Sequence, residues 1–180
     1  MKFPRARRRF FGKYRGTVFD NFDPEFKGRI IVKCTDVLGD IPSTYATPCV
    51  PVTGLAGLQS GVFVLPPIDA SVWVEFEHGD CDFPIWSGCF WGSASEVPMA
   101  ALVGTVASPN IVLQTAGQNT VLISGDPVTG IALVAGPFAD GTSPRITLTK
   151  AGIIMTDGKG GMITIAAGAV QMNQGALLVK

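Results

Sequence analysis

From Asn110 to Lys180 the chain repeats one short pattern: about five residues of alternating aliphatic character, then a break at Gly, Asp or Asn. The runs are Thr120–Ser124, Ile131–Ala135, Arg145–Thr149, Gly152–Thr156, Met162–Ala166, Ala169–Asn173 and Ala176–Lys180. Large side chains at every second position mark strands; a helix would space them by three and four. The breaks carry Gly125, Gly130, Gly136, Gly141, Gly158 and Gly168, the residue type that enters tight turns at least steric cost. Strand and short turn, repeated without a helix, is the sequence form of a β-solenoid or β-helix.

One copy of this tract has little to fold around. Asp126, Asp140, Arg145, Lys150, Asp157, Lys159 and Lys180 are its only charged side chains, and Phe138 is its only aromatic one. The stripe of Ile146, Leu148, Ile163, Ile165, Val170, Met172, Leu177 and Val179 gives two large aliphatic groups per strand and turn. Burying so few does not offset the conformational entropy lost in ordering the backbone between them. Sharing the stripe among identical chains does, because each stripe then meets its copies on a common axis and strand edges pair between chains. The pattern therefore predicts a trimeric prism. A strand-rich monomeric sandwich is the alternative.

Charge is sorted along the chain. Of 14 Lys and Arg, ten fall in the first 33 residues, from Lys2 to Lys33, and the next is Arg145. The gap between them holds ten Asp and Glu, from Asp36 to Asp140. A basic arm, an acidic middle and a nearly uncharged tail result. The opening Met1–Phe11, with Arg7, Arg8 and Arg9, superficially resembles an export signal, but Gly12-Lys-Tyr-Arg-Gly16 follows where an apolar stretch is required. The longest apolar run, Val97 to Ala107, contains Pro98 and Gly104 and falls far short of a bilayer span. A soluble chain made in the cytoplasm is expected. Cys34, Cys49, Cys81 and Cys89 form no CxxC pair and read as buried thiols, with an assembled four-cysteine zinc site as the rival.

Between Lys13 and Gly92 the strands lengthen and gain aromatic residues. Tyr14 to Asp20 alternates, and Asn21-Phe-Asp-Pro24 is a turn. Ile30, Val32 and Cys34 share one face of the next strand; Val72, Val74 and Phe76 share one face of a later one, opposite Trp73, Glu75 and Glu77. Ala46 to Val52 carries Pro48 and Pro51 and reads as an edge strand. His78 to Pro84 is a hairpin loop, and Ile85 to Gly92 returns. Five strands with no helical period predict a small closed barrel of the OB type. The expected divisions are a basic arm over 1–12, the barrel over 13–92, a linker over 93–109 and the strand-and-turn tract over 110–180.

Gly12-Lys-Tyr-Arg-Gly-Thr-Val-Phe-Asp-Asn21, Asp23-Pro24, Gly28-Arg29, Pro48-Cys-Val-Pro51, Leu65-Pro-Pro67, Val72-Trp-Val-Glu-Phe-Glu77, Gly79-Asp80 and Asp82 to Gly92 together resemble the phage baseplate assembly protein V family, which includes the valine-glycine repeat spikes of type VI secretion. Val112 to Thr120 and Ile153 to Lys180 resemble small spikes of phage-tail-like contractile injection systems. The resemblance implies an all-β protein: an OB-fold barrel followed by an intertwined triple-stranded β-helix. It implies a homotrimer in the baseplate of a phage or injection particle, docked on a hub at the end of the inner tube. A separate PAAR-type protein would cap its tip, and the target-cell envelope would be contacted mechanically. Arg7, Arg8, Arg9, Lys13, Tyr14 and Arg15 are the hub-facing candidates; Leu178 and Lys180 mark the tip end. No lysozyme-like domain interrupts Ser93 to Pro109, and no His-x-His pair stands near Lys180, so an external cap is expected.

Competing chemistries fare poorly. Glu75 and Glu77 lie on one strand face, whereas glycosidases place two carboxylates across a cleft. Glu77-His-Gly-Asp-Cys-Asp82 lacks the spaced oxygens and terminal Glu of a calcium loop, and a lone His78 assembles no triad. No enzyme, cofactor or metal site is expected. OB barrels also bind single-stranded nucleic acid, the alternative function, but such grooves are cationic and Cys34 to Gly92 has no Lys or Arg. Specific nucleic-acid binding is not expected.

Overall fold

A computed structural model describes residues 8–173 and 176–179. The chain divides into two compact units, residues 1–92 and 93–180.

The first unit is a closed five-stranded barrel. Its strands are β1 (Tyr14–Asp20), β2 (Ile30–Lys33), β3 (Tyr45–Pro48), β6 (Ser71–Phe76) and β7 (Pro84–Cys89); β4 (Thr53–Leu55) and β5 (Leu58–Gly61) form a separate ribbon between β3 and β6. The barrel order is β1-β2-β3-β7-β6, and β6 closes back onto β1. β3 and β7 run parallel, through Thr47 opposite Ile85; the other barrel pairs are antiparallel. Alternation in the sequence becomes alternation in burial. Val18, Ile30, Val32, Cys34, Val72 and Val74 are fully buried, joined by Ala46, Phe76 and Trp86. The four-residue helix α1 (Thr35–Leu38) leads off from β2 and packs Val37 and Leu38 against this core. Gly16 sits where β1 crosses β6: a Cβ there would lie 2.7 Å from a Val74 methyl, too close for any side chain.

The β1–β2 connection is organised by Asp23. Its carboxylate accepts the N–H groups of Glu25, Lys27 and Arg29 at 3.0, 2.8 and 3.2 Å and the Arg29 guanidinium at 2.6 Å. Arg29, hydrogen-bonded to it, holds the Asp23 carboxyl well below the usual range, with the backbone donors adding to the effect. The buried Trp86 indole donates to the Gly28 carbonyl at 3.1 Å, tying the end of the same loop to β7.

Two expectations are corrected here. β3 is not an edge strand: it sits between β2 and β7, and Pro48 is tolerated because it ends the strand. The four cysteines are not all buried. Cys34 continues the inward phase of β2, Cys81 is half-buried, and Cys49 and Cys89 are exposed because each lies where its strand stops. All four are free thiols.

The second unit holds an eight-stranded antiparallel sheet in plain chain order. After the short helix α2 (Met99–Leu102) come β8 (Ile111–Gln114), β9 (Thr120–Ile123), β10 (Ile131–Val134), β11 (Arg145–Thr149), β12 (Gly152–Thr156), β13 (Met162–Ala166), β14 (Ala169–Met172) and β15 (Leu177–Val179). Each strand hairpins into the next, so within one chain the tract is a meander, and any winding into a helix must come from assembly. The Asp-bearing turns are internally bonded. Asp126 accepts from the Val128 N–H and Thr129 hydroxyl, Asp140 from the Thr142 N–H and hydroxyl, and Asp157 from the Lys159 and Gly161 N–H groups, at 2.6–3.0 Å. Gly130 has φ +68, and a Cβ there would collide with the Leu148 carbonyl, so the β9–β10 turn requires glycine.

Candidate functional site

In an antiparallel ladder, directly opposed residues lie on the same face of the sheet. The pairing therefore sorts the second unit into two surfaces. One face carries two continuous rows. The first runs Ile111, Ile123, Ile131, Leu148, Ile153, Ile165, Val170, Val179. The second runs Leu113, Val121, Leu133, Ile146, Met155, Ile163, Met172, Leu177. Every position from β8 to β15 is Ile, Leu, Val or Met.

The reverse face behaves differently. Its central row runs Val112, Leu122, Ala132, Thr147, Ile154, Thr164, Gln171. At the β8–β10 end this face is apolar and covered: Leu122, Ala132 and Val134 are buried, with Val112 and Phe138 packed on them. From β11 onward Thr147, Thr149, Thr156, Thr164 and Gln171 make it mostly polar.

The all-aliphatic face has no such cover. Leu113 is 69% exposed in one chain, against 0% for Leu122 on the other side of the same sheet. Ile111, Ile123, Leu133, Leu148, Ile163, Ile165 and Met172 are exposed as well. Soluble monomers rarely present a contiguous apolar patch of this extent, and one that spans a whole sheet marks an interface.

The predicted stripe of Ile146, Leu148, Ile163, Ile165, Val170, Met172, Leu177 and Val179 falls entirely on this face by register. The side chains of Val179 and of Leu178, together with Lys180 and Arg7, lie outside the described residues. Eight further positions share the face by register. Ile111, Leu113, Val121, Ile123, Ile131, Leu133, Ile153 and Met155 extend it across the sheet, and period-two spacing was the signal that could have found them.

The N-terminal candidates gather on the barrel. Arg9 Nη1 lies 3.3 Å from an Asp80 carboxylate oxygen, and Lys13 Nζ lies 3.2 Å from Glu75 and 2.7 Å from the Ser87 hydroxyl. Arg15 stacks over both Trp73 and Phe90, at 5.3 and 4.7 Å, and Arg8 lies over Phe10 at 5.1 Å. Tyr14 packs against Phe10 and Phe76. Residues 8–15 thus run along β6, β7 and their loop, with Phe10 and Tyr14 packed against the barrel core and Lys13 and Arg15 on its outer side. Around the β6–β7 loop, Arg9, Glu77, His78, Asp80 and Phe83 line an open concavity, in which the exposed His78 has Glu77 3.9 Å away. Donor atoms of Asp80, Cys81 and Asp82 lie within 4.8 Å of one another, but the Asp80 carboxylate already takes Arg9 and the Asp82 N–H.

Residues 14–91 match the type VI secretion system/phage-baseplate injector OB domain, the span of the closed barrel. Residues 110–178 match the phage baseplate V C-terminal trimerisation domain, the span of the meander. The chain belongs to the phage baseplate V family of spike proteins. No curated protein matches it. Membership in the baseplate V family makes this a structural baseplate protein, and a trimerisation domain covering the aliphatic face supports a homotrimer. Among the described residues no helix is long and apolar enough to cross a membrane.

Proposed function

We propose that three copies of this baseplate V protein lay their aliphatic faces on a common axis, forming a prism-like β-helical spike at the centre of a contractile injection baseplate. The unbroken aliphatic face from β8 to β15 carries this reading. A threefold arrangement buries three copies of one surface against each other, and the mostly polar reverse face stays in water.

In this reading residues 1–12 are a basic arm, 13–92 the OB barrel, 93–109 the connection and 110–180 the spike. Arg7, Arg8, Arg9, Lys13, Tyr14 and Arg15 face the hub and inner tube. The Arg9–Asp80 pair does not oppose this, because exposed ion pairs are worth only about 0–1 kcal/mol and exchange partners readily. Leu178 and Lys180 lie at the end that meets a PAAR-type cap. Penetration of the envelope is mechanical: a stiff prism driven by sheath contraction needs rigidity, not a reactive side chain. Incorporation into a phage-like particle follows from the same assembly.

Electron microscopy of the purified particle, with an antibody or gold label on this chain, tests the reading. The expected result is label on the particle axis at the baseplate. A particle that assembles and contracts normally without the chain would overturn it.

A further inference from the structure

The basic side chains of the barrel divide by what they touch. Arg9, Lys13, Lys27 and Arg29 each reach a carboxylate of the same unit: Asp80, Glu75, Glu25 and Asp23 respectively. Arg15 and Lys33 form no ion pair among the described residues. They lie over aromatic rings instead, Arg15 over Trp73 and Phe90 and Lys33 over Phe19 at 4.7 Å. Thr17 on β1 opposes both Lys33 on β2 and Ser71 on β6, and Arg15 opposes Trp73. Opposed residues share a face, so β6, β1 and β2 present one outer wall on which Arg15 and Lys33 are diagonal neighbours, about 7–8 Å apart along the backbone. Glu75 stands on the same wall but is taken by Lys13 at 3.2 Å.

This placement is not what the chain's own stability asks for. It has as many Asp and Glu as Lys and Arg, 14 of each, yet these two exposed cations sit side by side with no acid of the chain between them. Neighbouring like charges on a sheet repel. Resting on rings restricts two long side chains that would otherwise move freely, so a partner that engages them loses less rotamer freedom on binding. Arg and Trp are also the residue types that carry the strongest contacts at protein interfaces.

We propose that this wall seats a carboxylate-bearing segment of another baseplate protein, with Arg15 and Lys33 each taking an acidic group. The inference rests on the baseplate reading above and deepens it: Lys33 joins the basic candidates, and Arg15 with Lys33 becomes the pair that carries the contact. Charge complementarity selects the occupant. An apolar partner would bury both cations without a counter-charge, at a high desolvation cost. A carboxylate satisfies each of them, and a guanidinium can take one through two parallel hydrogen bonds. Single-stranded nucleic acid needs a row of cations along its backbone and open ring faces on which bases stack. Here the free cations are two, and they already cover Trp73, Phe90 and Phe19.

The test treats purified particles with a zero-length carbodiimide, which condenses an amine with a carboxylate in contact with it, and maps the linked peptides by mass spectrometry. The Lys13–Glu75 link within the chain is the internal reference, since those groups lie 3.2 Å apart. Lys33 is expected to be joined to an Asp or Glu of a different particle protein. The double variant Arg15→Glu, Lys33→Glu is expected to enter particles about tenfold less or worse, while its mass by light scattering matches that of the unaltered chain. Lys33 unlinked, or linked only to carboxylates of this chain, beside an intact Lys13–Glu75 product would overturn the proposal and leave the baseplate reading standing. Undiminished incorporation of the double variant would overturn it too. A nucleotide adduct at Trp73 or Phe90 after ultraviolet irradiation would overturn it in favour of nucleic acid. Absence of the chain from the particle would remove the baseplate reading itself.

Discussion

Ile153 on β12 and Ile165 on β13 lie directly opposite each other, and both project from the aliphatic face; Thr164, one residue away, pairs with Ile154 and Gln171 on the reverse face. A single-residue step thus separates the two faces, and in the proposed trimer it separates a side chain that meets other copies from one that does not. Ile165→Asp places three like charges on a dry axis and is expected to abolish assembly. Thr164→Asp leaves assembly intact. Size-exclusion chromatography of the two variants checks this, and equal behaviour would show that the faces are assigned the wrong way round.

The reverse face has its own core at one end. Leu122 is fully buried between Ala132, Val134 and Val112. Leu122→Ala is expected to cost about 2–5 kcal/mol of stability, the range for a cavity left in a packed core. Denaturant unfolding at fixed protomer concentration measures it, since subunit association contributes to apparent stability. Retention of full stability would mean that the meander draws nothing from this cluster.

In the barrel, Asp23 gathers three backbone N–H groups and the Arg29 guanidinium into one loop. Asp23→Asn removes the charge that draws in Arg29 while keeping the shape. The expected outcome is faster hydrogen exchange at the Lys27 and Arg29 amides and a lower barrel melting temperature, with strand amides such as Val74 unchanged at low denaturant. Unaltered exchange at Lys27 would remove Asp23 from this organising role.

Acid should loosen the same loop and the sheet turns together. Asp126, Asp140 and Asp157 are held below the ordinary carboxylate range, chiefly by the Val128 N–H, by the Thr142 hydroxyl and by the Lys159 N–H respectively. A carboxyl whose folded pKa is depressed stabilises the fold above its unfolded value, about 3.9, and loses that contribution as pH falls through the folded value. Melting temperature is therefore expected to be insensitive to these groups near neutrality and to drop below about pH 4. Carboxyl titrations by NMR, with all three groups protonating at lower pH than free aspartate, give the direct check.

Much of this was legible in the sequence, and the exceptions have physical causes. Ile30, Val32 and Cys34, and likewise Val72, Val74 and Phe76, alternate against polar or aromatic neighbours, so the phase of the barrel strands could be read directly. β11, β13 and β14 were equally clear, because Thr147, Thr164 and Gln171 contrast with the aliphatic row beside them, whereas in β12 Ile153, Ile154 and Met155 run on without a polar residue to mark the phase. Across β8 to β10 the contrast fades, since Leu122, Ala132 and Val134 make the second face apolar too. That is why the first part of the aliphatic face was not singled out. The β4–β5 ribbon escaped because Thr53 to Gly61 is exposed on both faces and has no buried side to set a period. Residues 99–108 are tied to the sheet by the Asn110 amide, which donates to the Ala100 carbonyl, and by the Ser108 hydroxyl, which donates to the Gly125 carbonyl; a single polar residue gives no periodic signal.

The most direct measurement is the mass of the intact chain in solution by multi-angle light scattering. The account predicts a single species near three times 18.9 kDa that persists on dilution, because the aliphatic face from Ile111 to Leu177 is left largely exposed by one chain and only assembly of copies would bury it. A stable, well-folded species at 18.9 kDa would contradict it.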